Sequence, residues 1–366
     1  MTGWRGRVVL VLGSSTGGIG AHVAAVARGL RAGGAAVTVC APAATAAALD
    51  LGGAALVPVG IPAAPRPGDL RAIGALRAAV RAAAPDVVHA HGLRAGFVAA
   101  LARTGRPLVV TWHNAALSTG ARRLLHAATE HLVARAADVT LGASADLVAR
   151  ARACGARDAR LGPVAAPALP PPAGDPAAVR AACGVPAGVP LLLSVGRLHP
   201  QKRYDVLVDA AARWADLRPA PRVLIAGSGP AGCELAARIA ATGAPVALLG
   251  HRSDVPDLLA AADLALVTSA WEARQLFAQE ALRAGVPLVA TAVGGIPELV
   301  GDAAVLVPPG DADALDRAVR ELLADPAARA ALAVAGRARA GGWPTERETL
   351  DQLAALYAGL SGGGPG

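Results

Sequence analysis

The residue best suited to bind an anion is Lys202, the single lysine among the 35 basic residues of this 366-residue chain. It lies in the segment GRLHPQKR at 196–203, directly after an apolar run, and Arg197 precedes it by five positions. A lysine ammonium is a compact point charge and a guanidinium is a planar fork, so the two cations can hold a diphosphate from two sides. The alternative is that both residues are solvated loop charges without a ligand. The position of Arg197, directly after Gly196 at the end of a strand, argues against that alternative. The segment therefore predicts a phosphate site.

Two glutamates in SAWEARQLFAQEALRAGVP, at 269–287, are the next candidates. On a continuous helix an offset of eight residues separates side chains by about 12 Å along the axis, so they cannot share a proton as an acid and base pair. Glu272 is predicted in the loop after a strand, and Glu280 within a helix that starts near Gln275 and ends at Gly285. Carboxylates in these places suit hydrogen bonds from sugar hydroxyls. For Glu280, an exposed helical charge is an equally weighted alternative.

A glycine-rich segment, GSSTGGIGAHV at 13–23, follows the first apolar run. Gly17 and Gly18 would let backbone N–H groups approach a ligand at a helix N-terminus, where the partial positive charge favours phosphate. The spacing does not fit the dinucleotide pattern G-x-G-x-x-G, and no acidic residue ends the second strand. A nicotinamide dehydrogenase is therefore disfavoured. A tight strand-to-helix turn without a ligand is the alternative.

Short apolar runs that alternate with alanine-rich helical stretches must position these residues. The predicted strands are at 8–12, 36–40, 56–59, 86–90, 108–112 and 138–142, and then at 191–195, 222–227, 245–250, 263–269 and 287–291. Continuous apolar strands separated by helices indicate parallel sheets covered on both faces. A proline-rich stretch at 163–176 separates the two sets. We therefore predict an α/β protein with two doubly wound domains facing across a cleft, and ligands beyond the carboxyl ends of the strands.

The predicted domain bounds follow from these patterns. They are an N-terminal Rossmann-like domain at 1–165, a proline-rich linker at 166–186, a C-terminal Rossmann-like domain at 187–342, a helix at 343–360 that could pack back on the N-terminal domain, and a disordered tail at 361–366.

The composition narrows the partners and the cellular location. A net charge of +8 and a pI near 10.4 favour anionic partners. No basic run is interleaved with aromatic residues, so nucleic acid is disfavoured. The four cysteines form no C-x-x-C pair and are predicted to be reduced core residues. The first apolar run is too short for a signal peptide, and no run of about 20 apolar residues occurs, so we expect a cytoplasmic protein.

The order of several motifs resembles the retaining glycosyltransferases of family 4, which have the GT-B fold of two facing Rossmann-like domains. Besides GGIGAHV, GRLHPQK and the two glutamates separated by seven residues, the motifs are DVVHAHG at 86–92, VVTWHN at 109–114, AGSGP at 226–230 and ALRAGVPLVATAVGGIPELV at 281–300. No motif is decisive alone, but together they cover nearly the whole chain. The resemblance implies an acceptor-binding N-terminal domain and a C-terminal domain that binds a UDP- or GDP-linked sugar.

The resemblance also implies roles for the charged and glycine residues. Arg197 and Lys202 would bind the donor diphosphate, with Gly17 and Gly18 closing over it from the other domain. The two cations would stabilise the departing phosphate. No metal and no cofactor are therefore expected, and transfer would proceed with retention.

For the donor sugar and nucleoside, the resemblance assigns Glu272 to orient the sugar and Glu280 to hold the ribose hydroxyls. His113, at the end of a strand, would lie near the reacting centre. The further donor-binding candidates, of which the first three would contact the base, are Gly250, His251, Arg252, Arg274 and Leu276.

One departure from the family pattern follows the first glutamate. Family members commonly carry Gly-Phe-Gly there, whereas this chain has Ala273, Arg274 and Gln275. Arg274 adds a cation beside the donor site, which could favour an acidic sugar or an extra phosphate contact. Two alternatives to a transferase stay open: a nucleotide-binding subunit without activity, and a nucleotide-sugar epimerase on the same fold. A pyridoxal-type phosphorylase is disfavoured because the only lysine is already assigned to the diphosphate.

The acceptor side is marked by arginines of the first domain. The positions that could form a basic face are Arg94, Arg103, Arg106, Arg122 and Arg123, the last two opening the amphipathic segment RRLLHAATEHLVARAA. This pattern predicts a peripheral contact with the inner face of an anionic membrane or a phosphorylated acceptor, with a solvated helix as the alternative. We expect a sugar, lipid-linked or small-molecule acceptor in the synthesis of cell-envelope glycolipid, polysaccharide or another glycoconjugate, and no nucleic acid.

Overall fold

The computed structural model describes residues 3–15, 17–62, 68–115, 120–162, 164–165 and 169–362. The chain forms two compact units. The N-terminal unit comprises Met1–Ala166 and Pro344–Gly366, and the C-terminal unit comprises Pro167–Trp343. Among the described residues, no helix combines the length and the apolar content needed to cross a membrane.

The described residues form parallel strands connected by helices. The strands are β1 (Arg7–Leu12), β2 (Ala36–Ala41), β3 (Ala55–Pro58), β4 (Val87–His91), β5 (Leu108–Trp112), β6 (Val139–Gly142), β7 (Ala159–Leu161), β8 (Leu191–Val195), β9 (Arg222–Ala226), β10 (Val246–Gly250), β11 (Leu264–Val267), β12 (Leu288–Thr291) and β13 (Val305–Val307). The α-helices are α1 (Gly18–Ala32), α2 (Ala43–Ala47), α3 (Asp69–Ala83), α4 (Leu93–Ala102), α5 (Ala121–Ala136), α6 (Ala145–Ala153), α7 (Pro176–Ala182), α8 (Tyr204–Ala212), α9 (Gly232–Thr242), α10 (Val255–Ala261), α11 (Leu276–Ala284), α12 (Ile296–Val300), α13 (Ala312–Ala324), α14 (Pro326–Gly341) and α15 (Glu346–Ser361).

The sheet of the N-terminal unit has the strand order β3-β2-β1-β4-β5-β6-β7. Strands β4 and β5 are buried along their whole length, as expected for parallel strands covered on both faces. The chain winds outward in opposite directions from the neighbouring strands β1 and β4. Such a reversal opens a crevice beyond the carboxyl ends of these two strands, where doubly wound sheets bind ligands.

The C-terminal helix α15 completes the core of the N-terminal unit. It begins with a capping box in which Thr345 and Glu348 satisfy each other's backbone N–H groups. Tyr357 is fully buried and its ring centroid lies 5.2 Å from that of Trp4. Leu350 packs where Gly29 of α1 has no side chain, which lets the two helices approach closely.

The sheet of the C-terminal unit has the order β10-β9-β8-β11-β12-β13, with parallel pairing throughout the described ladders. Its two faces bury separate apolar clusters, one around Leu224, Phe277 and Trp343 and the other around Leu207 and Trp214. The strand order reverses between β8 and β11. The second crevice therefore lies beyond the carboxyl ends of these strands.

Three details differ from the sequence predictions. The stretch 166–186, assigned to a linker, contains α7, which lies in the C-terminal unit and is capped by Asp175 with proline at its first position. Residues 163 and 166–168 of the proline-rich stretch, and 363–366 of the tail, lie outside the described residues. The edge strands β7 and β13 were not predicted. The prediction of four core cysteines is wrong for Cys233, which is exposed.

Candidate active site

Several candidate residues of each unit lie at or next to its reversal of strand order. In the C-terminal unit, Lys202 follows β8 and Glu272 follows β11, the two strands that pair at the reversal. In the N-terminal unit, Gly17 follows β1, and His113 directly follows β5. Side chains from distant parts of the sequence are therefore gathered where doubly wound sheets bind ligands.

Lys202 and Glu272 form an ion pair with 2.6 Å between Nζ and Oε1, and their side chains are 19% and 12% exposed. Ser269 Oγ donates a second hydrogen bond to the same carboxylate oxygen, at 2.8 Å. Thr268 Oγ1 donates to the backbone carbonyl of Lys202, at 2.9 Å, and ties the two loops together. The structure thus places a cation and a carboxylate side by side in a half-buried site.

Two glycines hold the loops that carry this pair. Gly227, with φ of +147°, lies so close to the backbone of the β8–α8 loop that a Cβ would collide with the carbonyl oxygen of Gly196. Gly294, with φ of +52°, lies against Glu272, where a Cβ would collide with the carbonyl oxygen. The neighbouring Gly295 N–H donates to that oxygen, at 2.8 Å. The glycine motifs in AGSGP and AVGGIPE therefore position the Lys202 and Glu272 loops.

Arg197 lies on the same loop as Lys202 but is exposed. Within the described parts of the chain, its guanidinium enters no ion pair. The carboxylate of Glu272 is paired with Lys202. His199 accepts a hydrogen bond at Nδ1 from the backbone N–H of Gln201, at 3.2 Å. Burial lowers the pKa of His199, and the charges of Arg197 and Lys202 lower it further. The loop thus offers two cations separated by a neutral imidazole.

Helix α11 begins and ends as predicted, with Gln275 at its N-cap and Gly285 at its C-cap. The Gln275 side chain accepts from the backbone N–H of Ala278 and so caps its own helix. Leu276, the first helical residue, is half-buried. Glu280 is also half-buried, and burial raises the pKa of its carboxyl group, with Arg283 acting in the opposite direction. Glu280 is therefore not the fully exposed charge of the alternative interpretation.

The other predicted donor-binding residues differ in what their side chains contact. Gly250 is exposed and ends β10 with φ of +68°, and its carbonyl accepts from the Gly227 N–H at 2.7 Å. His251 is exposed. Arg252 Nε donates to Asp254 Oδ1 at 2.7 Å, so its guanidinium is engaged within the loop.

Arg274, in the loop between Glu272 and α11, has its guanidinium carbon 5.9 Å from the centroid of the Trp343 ring.

Gly17 and Gly18 lie at the N-terminus of α1, in the N-terminal unit. Neither has a positive φ, and a Cβ at either position would meet nothing within 4 Å. Gly20 is different, because its Cβ would lie 3.2 Å from both Ser15 O and a methyl group of Leu49. Local packing is therefore tight at Gly20, whereas there is open space beside Gly17 and Gly18.

His113 belongs to a buried cluster of histidines. Its Nε2 lies 3.3 Å from Nδ1 of His91, and His22 packs edge-on against both rings, with centroids 5.6 Å apart. His89 packs against His91 at 4.1 Å. Its Nδ1 is 2.5 Å from the hydroxyl of Tyr357, so α15 reaches this cluster.

Burial keeps the histidine cluster uncharged at neutral pH. It lowers the pKa of His22 to about 4 and that of His89 to about 3, and it holds the pKa values of His91 and His113 well below 6.5. Repulsion between the neighbouring rings lowers those of His89, His91 and His113 further. His113 can therefore give or accept a hydrogen bond as a neutral imidazole.

Across the described ranges, no three His, Cys, Asp or Glu side chains are arranged to hold a metal ion, and this includes the histidine cluster. Sequence reasoning missed Ser269, His91 and Gly294 as parts of these sites. His91 and Gly294 lie inside the motifs DVVHAHG and AVGGIPE. Both motifs were recognised in the sequence, but no role was assigned to the two residues. The contact of Ser269 with Glu272 is set by loop geometry that no pattern encodes.

Two family models match the chain in tandem. The model described as glycosyl transferases group 1 matches residues 178–339, and that described as glycosyl transferase 4-like domain matches residues 17–167. Together they span most of the chain, and the N-terminal match ends at residue 167, next to the boundary between the two units at Ala166 and Pro167.

A curated relative is also a glycosyltransferase, in agreement with the family models. A D-inositol 3-phosphate glycosyltransferase of Mycobacterium bovis is 38% identical over 201 residues, which cover 50% of this chain and 40% of the relative. The match thus spans less than half the length of that curated relative.

Solved structures share the fold. Anabaena HepE in complex with UDP-glucose superimposes with a TM-score of 0.80 at 22% identity, covering 97% of this chain and 100% of HepE. Sucrose-phosphate synthase from Thermosynechococcus elongatus gives a TM-score of 0.80 at 22% identity, covering 98% and 100%. The prediction of the GT-B fold is confirmed. By its two family matches, its paired Rossmann-like units and its motif order, this chain belongs to the group 1 glycosyl transferases.

Proposed function

We propose that this protein transfers a sugar from a UDP- or GDP-linked donor to an acceptor hydroxyl, with retention of the anomeric configuration and without a metal ion. The observation that carries the proposal is the Lys202–Glu272 ion pair at the reversal of strand order in the C-terminal unit. A nucleotide sugar needs a cation for its diphosphate and a hydrogen-bond acceptor for its sugar hydroxyls. This pair supplies both in adjacent positions.

Donor binding would rearrange this pair. The diphosphate would draw Lys202 from Glu272 and engage the exposed Arg197, since phosphate oxygens carry more charge than one carboxylate. Glu272, still bonded to Ser269, would then accept from sugar hydroxyls. As the bond between the anomeric carbon and the diphosphate breaks, the diphosphate leaves with the electron pair, and the two cations stabilise the growing charge. The acceptor hydroxyl oxygen forms the new bond to the same face of the anomeric carbon, and its proton passes to the departing phosphate oxygen. Glu280 would receive the ribose hydroxyls.

The proposal is tested by product analysis. The relatives suggest the first substrates: UDP-glucose as donor, after the HepE complex, and D-inositol 3-phosphate as acceptor, after the curated relative. GDP-linked sugars and other polyol phosphates complete the panel. Formation of a glycoside with the anomeric configuration of its donor, in the presence of a chelator, supports the proposal. An inverted product contradicts retention. Nucleotide binding without any product would favour the non-catalytic subunit.

We also propose that α5 rests on an anionic membrane surface. Leu124 and Leu125 are 75% and 54% exposed in its first turns, and Leu132 is exposed further along. Arg123 is exposed beside these leucines, and the chain carries a net charge of +8. Exposed leucines flanked by arginine match the acyl boundary and the charge of an anionic bilayer.

Three of the five arginines predicted to form a basic face are exposed. Arg103, Arg106 and Arg123 are exposed. Arg94 is not part of it, because its guanidinium is 2.7 Å from Asp69 in a half-buried pair. The side chain of Arg122 lies outside the described residues.

The membrane proposal predicts a defined loss of liposome binding. Leu124→Ser with Leu125→Ser should lower partitioning onto phosphatidylserine vesicles, measured by co-sedimentation, by about a hundredfold or more, because full burial of each leucine is worth about 1.5–3 kcal/mol and about 1.4 kcal/mol is a tenfold change. Leu70→Ser is the matched control, since Leu70 is 77% exposed on α3. Equal binding by the double variant and the control would contradict the proposal.

A further inference from the structure

Arg274 occupies the altered position in the loop between Glu272 and α11, and its side chain packs on an indole ring. Its guanidinium carbon lies 5.9 Å from the Trp343 ring centroid, within the range of a cation–π contact. Arg283, from within α11, lies 5.8 Å from the same centroid. Two arginines of one segment, one on the loop and one on the helix, therefore share one aromatic partner.

The side chain of Trp343 is held in place by burial and by a hydrogen bond. It is 8% exposed, and its indole N–H donates to the carbonyl oxygen of Leu299 in α12, at 3.1 Å. Arg339 of α14 donates to the same oxygen, at 3.1 Å. The ring is thus fixed by packing and by a hydrogen bond, and a side chain that stacks on it is restrained as well.

Two hydrogen bonds from neighbouring residues also hold the backbone of the Glu272 loop. Gly295, which directly precedes α12, donates its N–H to the carbonyl oxygen of Glu272, at 2.8 Å. Gln279 Nε2 donates to the carbonyl oxygen of Arg274, at 3.3 Å. The loop from Glu272 to Arg274 is therefore attached to α12 through its backbone and to Trp343 through one side chain.

We propose that Arg274 is a positioning residue that clamps the Glu272 loop onto Trp343 and does not itself touch the donor. The inference rests on the proposed function for the meaning of the loop, but the clamp is a property of the C-terminal unit alone. Burial lowers the pKa of Arg274, which is consistent with a guanidinium held against the indole. The guanidinium lies over the Trp343 ring and within reach of the Glu298 charge, so the proposed clamp replaces the sequence prediction of Arg274 as an extra donor-site cation.

A double-mutant cycle between Arg274→Met and Trp343→Leu tests the clamp. Methionine keeps the long apolar stem and removes the cation. Calorimetry with UDP, GDP and their common sugar conjugates, and urea unfolding without nucleotide, are measured for the two single variants and the double variant. We expect Arg274→Met to weaken nucleotide binding on the order of tenfold in the wild-type background, and less than about twofold in the Trp343→Leu background, because residues in contact act as a unit.

Arg283→Met is the matched control. It removes a cation from the same ring without touching the loop, so stability should fall as in Arg274→Met. Nucleotide affinity should change only through the charge that Arg283 places near Glu280, and by the same factor with and without Trp343. Arg274→Lys, which keeps a cation over the ring, should restore part of the affinity.

The outcomes separate the clamp from the proposed function. An equal loss of affinity on Arg274→Met with and without Trp343 would mean a direct donor contact and overturn the clamp. An unfolding cycle without coupling between the two residues would overturn it even if nucleotide binds. Wild-type protein that binds neither UDP, GDP nor their sugar conjugates, with the unfolding coupling intact, would contradict the proposed function and the donor-loop role, leaving the packing contact alone.

Discussion

Lys202 and Glu272 form an ion pair in a half-buried site, and the charge of each would be left uncompensated without the other. Their residue types and their places after strands could be predicted from the sequence. The pairing could not, because the two residues are 70 positions apart and meet only through the strand order of the sheet. The same holds for Ser269, whose contact depends on the path of one loop.

Gly294 provides a test of how the Glu272 loop is held. Gly294→Ala should destabilise the C-terminal unit by about 1–3 kcal/mol, because its positive φ and the adjacent Glu272 carbonyl both exclude a Cβ. Donor affinity should fall with it, since the loop must move. Urea unfolding and nucleotide titration measure the two effects.

The control for this change is Gly341→Ala, at the end of α14, where a Cβ would meet nothing within 4 Å. This substitution should be neutral or slightly stabilising. Equal stabilities for the two variants would show that Gly294 does not position the loop.

Among the secondary-structure elements, the deeply buried strands could be predicted from the sequence more accurately than the short edge strands. The central strands are continuous apolar runs, and β5 and β8 were predicted to the residue. The edge strands β7 and β13 have three residues each. β7 reads Ala-Arg-Leu with only its first residue buried, and β13 reads Val-Leu-Val, an apolar run too short to be distinguished from a loop. Helix α7 was missed because the prolines near it led us to assign the whole stretch to a linker. Asp175 followed by proline is nevertheless a helix-start signal.

The histidine cluster, built from α1, β4, β5 and α15, predicts a pH-dependent stability. The pKa values of its four members are lowered in the folded state, so unfolding takes up protons and stability falls as the pH drops below 6.5. Each histidine contributes a slope of up to about 1.4 kcal/mol per pH unit, down to its folded-state pKa.

Urea unfolding between pH 7.5 and about 5, above the range where most carboxylates titrate, measures this slope. His22→Gln should lower it by about the contribution of one proton. His131→Gln, at an exposed position of α5, is the control. A slope that His22→Gln leaves unchanged would mean that the buried cluster does not stay neutral.

At the scale of the whole molecule, the alternation of strands and helices was sufficient to predict two doubly wound units, and the family matches and solved structures confirm that fold. The donor sugar and the acceptor are not encoded in that alternation. They depend on side chains at the loop ends, and at the altered positions Arg274 and Gln275 the structure gives those side chains packing and capping roles. Fold and family therefore follow from pattern, while specificity depends on individual contacts.

The most direct test of a nucleotide-sugar site at Lys202 is calorimetric titration with UDP, GDP and their common sugar conjugates. Lys202→Ala is compared with Arg203→Ala, which removes the adjacent cation that is paired with Asp205. We predict that wild type and Arg203→Ala bind one nucleotide sugar with similar affinity, and that Lys202→Ala loses on the order of tenfold or more, because a charge-assisted contact is removed. Failure of the wild-type protein to bind any conjugate, or unchanged binding by Lys202→Ala, would contradict the account.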